Sequence, residues 1–238
     1  MNLLLVDNVS KKFGGLDAIR DCSFSISNGQ IVGLIGPNGS GKTTVFNVIT
    51  GVLKPSSGDV YFQDGRITGL PPYLIAKRGI SRTFQITRIF KGMTVIENLL
   101  AVTREGRSSR EKVIELLKFV NLYELRYEYA GKLSYGQQKL LDFAKSLVTE
   151  PALVLLDEPT SGIYPAMIEQ MIRHIQEVRA QGKTIFIIEH NMRVVMRLCE
   201  KIFVLDHGEK IAEGTPEVVR ANKQVVDSYL GKRNDSDG

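Results

Sequence analysis

Hydrophobic and polar positions along this chain follow two different periods, and the places where one replaces the other mark its organisation. The stretches LLLVDNVS (3–10) and CSFSI (22–26) alternate as half-buried short strands do, with a turn at Asn28-Gly29. QIVGLIG (30–36) is apolar without alternation, which predicts a strand covered on both faces, and it runs into a glycine-rich loop. KTTVFNVIT (42–50) reads as a short helix ended by Gly51, and GDVYFQDGRI (58–67) as a hairpin turning at Asp64-Gly65. From about Leu70 to Glu150 the period lengthens. PPYLIAKRG (71–79) has the Pro start and Gly end of a helix, and TVIENLLAV (94–102), REKVIELLKFVNL (110–122) and SYGQQKLLDFAKSLV (134–148) place apolar residues at helical spacing. TREGRSSR (103–110) is the most linker-like stretch. Strand and helix then alternate: ALVLLDEP (152–159), PAMIEQMIRHIQEVRAQG (165–182), KTIFIIEH (183–190) and NMRVVMRLCE (191–200). KIFVLDHGEKIAEG (201–214) predicts a hairpin at His207-Gly208, a single short helix over 216–230 closes the fold, and 231–238 reads as a disordered tail.

Composition narrows the partners more than the fold. The net charge of +5 is mild, and no basic run is long enough to make a nucleic-acid arm, so no nucleic-acid partner is expected. Cys22 and Cys199 stand in apolar contexts without metal-ligand spacing, which predicts buried thiols in a reducing cytosol. The opening MNLLLVDNVS lacks a secretory leader pattern, and no apolar run reaches the roughly eighteen residues of a membrane span. A membrane role would therefore require a partner to hold the protein there.

The chemistry concentrates at strand ends. Gly36-Pro37-Asn38-Gly39-Ser40-Gly41-Lys42-Thr43-Thr44 is a P-loop between a strand and a helix. Its glycines let backbone amides face a phosphate, Lys42 reaches the β- and γ-phosphates, and the Thr43 hydroxyl is a Mg²⁺ ligand. A tight glycine turn would explain the glycines but not Lys42 and Thr43. LVLLDEP ends a buried strand in two acids: Asp157 suits the Mg²⁺ shell, and Glu158 suits a general base or positioner of water. Set alone, the two acids would equally suit a solvated strand end. His190 ends the next buried strand, where open α/β sheets bind ligands, and would hydrogen-bond the γ-phosphate. Gln85, in RTFQ at the entry to the helical region, would touch Mg²⁺ or the attacking water; an exposed loop glutamine is the plainer alternative. His174 and His207 lack such context and are expected on a helix surface and in a turn. The segment LSYGQQK opens a helix with Ser134, Tyr135, Gly136 and Gln137, a second anion grip built from a helix N-terminus.

Together, GPNGSGKTT, Gln85, LSYGQQK, LVLLDEP and His190 resemble the ABC-transporter ATPase family in order and spacing, across about Leu3 to Leu230. The resemblance implies an α/β fold with a P-loop NTPase, RecA-like core (1–85 and 151–230), which includes an antiparallel β subdomain, and a helical signature subdomain (86–150). It implies ATP and Mg²⁺, the latter held by Thr43, Gln85 and Asp157. Catalysis would fall to Glu158, His190, Gln85 and Lys42. It implies a head-to-tail homo- or heterodimer in which Ser134, Tyr135, Gly136 and Gln137 grip the partner's nucleotide. Phe13, in KKFGGLDAI, matches the family's adenine-stacking aromatic, against the alternative of a ring packed in the sheet. Tyr135 replaces the usual middle glycine of the signature, and the family's acidic residue near Tyr164 is missing.

Finer motifs, among them RTFQITRIFKGMTVIENLLAV, IIEHNMRVVM and AEGTPEVVRANKQVVDSYLG, look like the ATPases of branched-chain (hydrophobic) amino-acid importers. That group works beneath two membrane permeases, at the cytoplasmic face of the inner membrane, with an extracytoplasmic substrate-binding protein. Ile89, Phe90 and Met93 would line a permease groove or belong to the helical core. Transport of another small solute, such as urea or a short amide, stays open. A soluble non-transport ABC ATPase lacks support from coiled coils, zinc motifs or tandem units, and a P-loop kinase would have no use for the signature.

Overall fold

In the computed structural model, residues 2–103 and 107–230 are described. Two sheets share one interior. β1 (Asn2–Phe13) and β2 (Leu16–Ser27) form a long antiparallel ladder, joined by β4 (Ser57–Phe62) and β5 (Gly65–Arg66) in the order β2-β1-β4-β5. The second sheet contains β3 (Ile31–Ile35), β6 (Ile80–Arg82), β7 (Leu153–Asp157), β8 (Thr184–Ile188), β9 (Lys201–Asp206) and β10 (Glu209–Gly214). Its order is β10-β9-β3-β8-β7-β6, parallel throughout except for the β9–β10 hairpin.

The unbroken apolar runs are explained by what covers this sheet. Every residue of β3, β7 and β8 is buried. Ile31, Ile35, Val154, Leu156, Ile185 and Ile187 face the helices, among them α5 (Tyr135–Leu147) and α6 (Pro165–Ala180). Their alternates Val32, Leu34, Leu153, Leu155, Phe186 and Ile188 face the antiparallel sheet and α1 (Lys42–Ile49). Alternation exists, but both registers are apolar because both faces are covered. The helical region contains α3 (Val95–Leu100) and α4 (Arg107–Phe119), while α2 (Pro72–Lys77) leads into β6. Residues of α3, α4 and α5 share one apolar cluster with the sheet's helix-facing side. α3 begins with a capping box between Thr94 and Glu97. Asn98, fully buried, exchanges hydrogen bonds with the Phe90 backbone and donates to the Thr94 carbonyl, which fixes the chain ahead of the helix.

Several expected boundaries move. The N-terminal strands are longer than the alternation suggested and meet at Gly14-Gly15, a turn the sequence reading passed over. The second hairpin turns one residue earlier than expected, at Gln63-Asp64, where φ is +49° and +60°; Gly65 already pairs with Phe62. α4 starts three residues before the expected helix, so the linker-like stretch shortens; residues 104–106 lie outside the described ones, as does the 231–238 tail. The closing helix is two: α7 (Met192–Leu198) and the β9–β10 hairpin are followed by α8 (Pro216–Ala221) and α9 (Lys223–Leu230). Asn222 breaks it with ψ at 116°, and its side chain accepts from the amides of Gln224 and Val225.

Candidate active site

The loop Gly36–Gly41 leaves β3 and enters α1, so unpaired amides of the helix's first turn point to where β3 ends. Two of its glycines are required by close packing. A Cβ at Gly36 would lie 2.0 Å from the Leu205 carbonyl oxygen, and one at Gly41, where φ is +103°, 2.5 Å from that of Ala18. The turn of the β9–β10 hairpin braces the loop from outside: the Gly208 amide donates to the Ser40 carbonyl at 3.1 Å, and the Arg20 amide donates to Gly208 at 2.8 Å. Lys42 donates to the carbonyls of Gly36 and Pro37 at 2.8 Å each. Burial pushes its pKa down, while Glu158 and Asp157 hold it up.

An open cleft of about 810 Å³ runs along this loop. Asn38, Gly39, Gly41, Lys42, Thr43 and Thr44 form its floor, Gln85 and Glu158 one end, and Phe13, Arg20 and His207 the other. The volume suits a nucleotide. Phe13 ends β1 with 46% of its surface exposed, so its ring is presented to the cleft and not sunk in the sheet. Ser40 is instead buried beneath the loop.

At the far end the two adjacent acids divide. Asp157, the last residue of β7, turns into the protein and accepts from Arg82 at 2.8 Å; their side chains are 3% and 5% exposed. Burial pushes the Asp157 pKa up against the pull of Arg82, and pushes that of Arg82 down against the pull of Asp157. Both members thus shift toward neutrality, as desolvation outweighs attraction in a buried pair. Glu158 has φ of +50° and points the other way. Its carboxylate accepts from Gln85 Nε2 at 3.1 Å, and His190 Nδ1 stands 3.6 Å from its other oxygen. The structure therefore brings Gln85, Glu158 and His190 together, and sets Asp157 one layer deeper.

Sequence reasoning missed three groups that hold this end in place. Arg82 also donates to Asn47 at 2.6 Å, which ties β6 to α1. Glu189, 1% exposed, accepts from both donors of Thr160 and from the amides of His190 and Asn191. Lys139, 4% exposed, donates to the carbonyls of Gln85 and Glu158. Its signal was present: Phe143, one turn further along α5, is buried, so helical spacing puts Lys139 on the inner face. Of the other histidines, His174 is not a helix-surface residue. It is 6% exposed with its ring 4.7 Å from that of Phe119 at the end of α4. His207 is in the hairpin turn as expected and borders the cleft.

The signature caps α5. Ser134 Oγ accepts from the Gln137 amide at 3.3 Å, and Gln137 Oε1 accepts from the Ser134 amide at 2.9 Å. Tyr135 lies against Gly162, where a Cβ would sit 3.0 Å from the ring, and Gly136 abuts Met167. None of Ser134, Tyr135, Gly136 or Gln137 borders the cleft of its own chain. Beside α5, Phe84, Arg88, Ile89, Phe90, Asp142 and Lys145 line a groove of about 410 Å³. There Phe90 is exposed, while Ile89 packs on the core; Met93 does not line the groove.

A phosphate loop after β3, an acid after β7 two strands over, a histidine after the β8 strand between them and a second helix-start grip facing elsewhere define an ABC-type ATPase. Residues 19–161 match the family model described as ABC transporter, and the chain belongs to that family. Residues 209–234 match the model described as branched-chain amino acid ATP-binding cassette transporter. The chain is 38% identical to the high-affinity branched-chain amino acid transport ATP-binding protein BraF of Pseudomonas aeruginosa, over 97% of this chain and 98% of that one. It is equally similar, with the same coverage, to LivG of Escherichia coli. An ATP-binding cassette solved in its ADP conformation superposes with a TM-score of 0.90 at 36% identity, covering 97% of this chain and 99% of the other. A dimeric cassette in a post-hydrolysis state with ADP and Pi superposes at 0.80 with 27% identity, covering 90% and 98%.

Proposed function

We propose that this chain is the ATP-hydrolysing subunit of an importer of branched-chain or other hydrophobic amino acids, and that it works as a head-to-tail pair beneath two membrane permeases. The ATPase class follows from family membership; the cargo rests on the names of its relatives. The permeases would anchor the pair at the cytoplasmic face of the membrane and receive cargo from an extracytoplasmic binding protein. Among the described residues no helix is long and apolar enough to cross a membrane. The groove with exposed Phe90 suits a permease's cytoplasmic helix.

One observation carries the mechanism: the Glu158 carboxylate accepts from Gln85 and has His190 3.6 Å away, at one end of a nucleotide-sized cleft that its own signature does not enter. In this reading Phe13 stacks on adenine. The loop amides from Asn38 to Thr44 and the Lys42 ammonium take the phosphates. Glu158 orients and deprotonates water for attack on the γ-phosphorus, and His190 hydrogen-bonds the γ-phosphate oxygens. Ser134 and Gly136 of the partner subunit close the site from above. Thr43, Gln85 and Asp157 are oxygen donors of the kind Mg²⁺ accepts, and Mg²⁺ when bound supplies charge neutralisation on the phosphates. Asp157, turned toward Arg82, would act from a deeper layer than the other two.

Glu158→Gln tests the reading. Turnover is expected to fall by about a hundredfold or more, while ATP holds the protein as a dimer in size-exclusion chromatography with light scattering. A variant that stays monomeric with saturating ATP overturns the composite site. For the cargo, a strain lacking the chain should lose leucine uptake and regain it on complementation; unchanged uptake overturns the amino-acid assignment.

A further inference from the structure

The geometry points to Lys139 as a positioning residue for ATP hydrolysis: its ammonium ties the backbone of Gln85 and Glu158 to the helix that carries the signature. A chain's own water-handling groups then keep their places only while its signature helix stays docked. This rests on the composite-site reading above.

Two carbonyls create the need. β6 and β7 pair in parallel as far as Arg82 and Leu155, and the Thr83 amide still donates to Leu155 at 2.9 Å. Beyond that point the ladder stops. Gln85 has left β6, and Glu158 has turned out of β7 with φ of +50°. Lys139 Nζ donates to the Gln85 carbonyl at 2.9 Å and to the Glu158 carbonyl at 3.1 Å, and so bridges two segments the sheet no longer joins. The same two residues meet again through Gln85 Nε2 and Glu158 Oε2.

A buried lysine is a costly way to fill an apolar helix face whose neighbours Leu140, Leu141 and Phe143 are all buried. The charge is held by nearby carboxylates, Asp142, Glu158, Glu189 and Asp157, against the desolvation that lowers its pKa. One turn back, Tyr135 lies 5.7 Å from the ammonium and against Gly162 in the loop after Glu158. The helix therefore touches its own catalytic segment at two points, while its N-terminal Ser134 faces away from its own cleft.

The test compares Lys139→Met and Lys139→Arg with the parent in ATP affinity, thermal stability and kcat for MgATP hydrolysis. Lys139→Met keeps the stem's bulk and loses both donors. It is expected to lower kcat by about thirty- to a hundredfold, the scale of an ångström misplacement of a catalytic group, with ATP affinity within about twofold. Lys139→Arg is expected to recover kcat to within about tenfold of the parent. Parental kcat in Lys139→Met overturns the proposal, as does an Arg variant no better than Met. Failure of Lys139→Met to fold, or loss of affinity and stability in step with rate, also overturns it in favour of a structural role. The ATP-held dimer of Glu158→Gln separates the two ideas: if it forms and Lys139→Met turns over normally, only the Lys139 role falls. If it does not form, the composite site falls first.

Discussion

Replacing Arg82 with Met should destabilise the fold by about 3 kcal/mol, although the residue sits at the edge of a sheet. The guanidinium makes a 2.8 Å ion pair with Asp157 and hydrogen bonds of 2.6 Å and 3.3 Å to Asn47 and Thr50. Removing one partner of a buried pair costs about 3–5 kcal/mol, mostly as the penalty of the charge left behind. The lower end applies because Lys139 also draws the Asp157 pKa down and shares its charge. For a chain of this size about 3 kcal/mol corresponds to a Tm lower by about 6–12 °C. Urea unfolding followed by circular dichroism, on the parent, Arg82→Met, Asp157→Asn and the double variant, measures both the cost and the coupling. The double variant removes both charges, so it should be less destabilised than the sum of the singles by about 2 kcal/mol. Arg82→Met within about 1 kcal/mol of the parent, or strict additivity, would refute the view of this pair as a desolvated unit.

Asn98→Ala strands the Phe90 amide and three carbonyl contacts around a fully buried site. A loss of about 2–3 kcal/mol is expected, with faster amide exchange confined at first to residues 86–93; uniform exchange would argue against a local clamp. Burial pushes the thiols of Cys22 to about 11 and Cys199 to about 12, from 9.0 in the open chain. Neither should react with a thiol reagent at neutral pH until the protein unfolds. Because both folded values are raised, their contribution to stability is complete below pH 9 and lost as the pH rises through 11 to 12. Thermal melts across that range check the direction, and a rising Tm would refute it.

The parts of this protein that were legible in its sequence are those where one residue type answers one local demand. Gly36 and Gly41 sit where a Cβ would collide with backbone, and β3, β7 and β8 read as buried because both faces are covered. Strand ends alone singled out Glu158 and His190, which the fold brings within 3.6 Å of each other. What the pattern could not show depends on partners distant in sequence. Arg82 reads as an ordinary cation until Asp157, seventy-five positions away, is seen to face it. Glu189 precedes a residue of more evident chemistry, and its role appears only when Thr160 lies alongside. The buried ring of His174 reflects the placing of Phe119, the last residue of α4, against it, which no local period encodes. Asn222 stops one helix and starts another with a polar side chain of a kind that also sits within helices.

The β9–β10 turn has the outward marks of a place to insert a tag: it is short and exposed at His207. Its Gly208 nevertheless joins the Ser40 carbonyl on one side and the Arg20 amide on the other, with the Ala18 carbonyl 3.0 Å from where a Cβ would stand. Lengthening that connection by even a residue would pull on the cradle for the phosphates and on the strand leading from Phe13 at once. Protein engineers grafting an epitope or fluorophore should therefore avoid this tip, however accessible it looks.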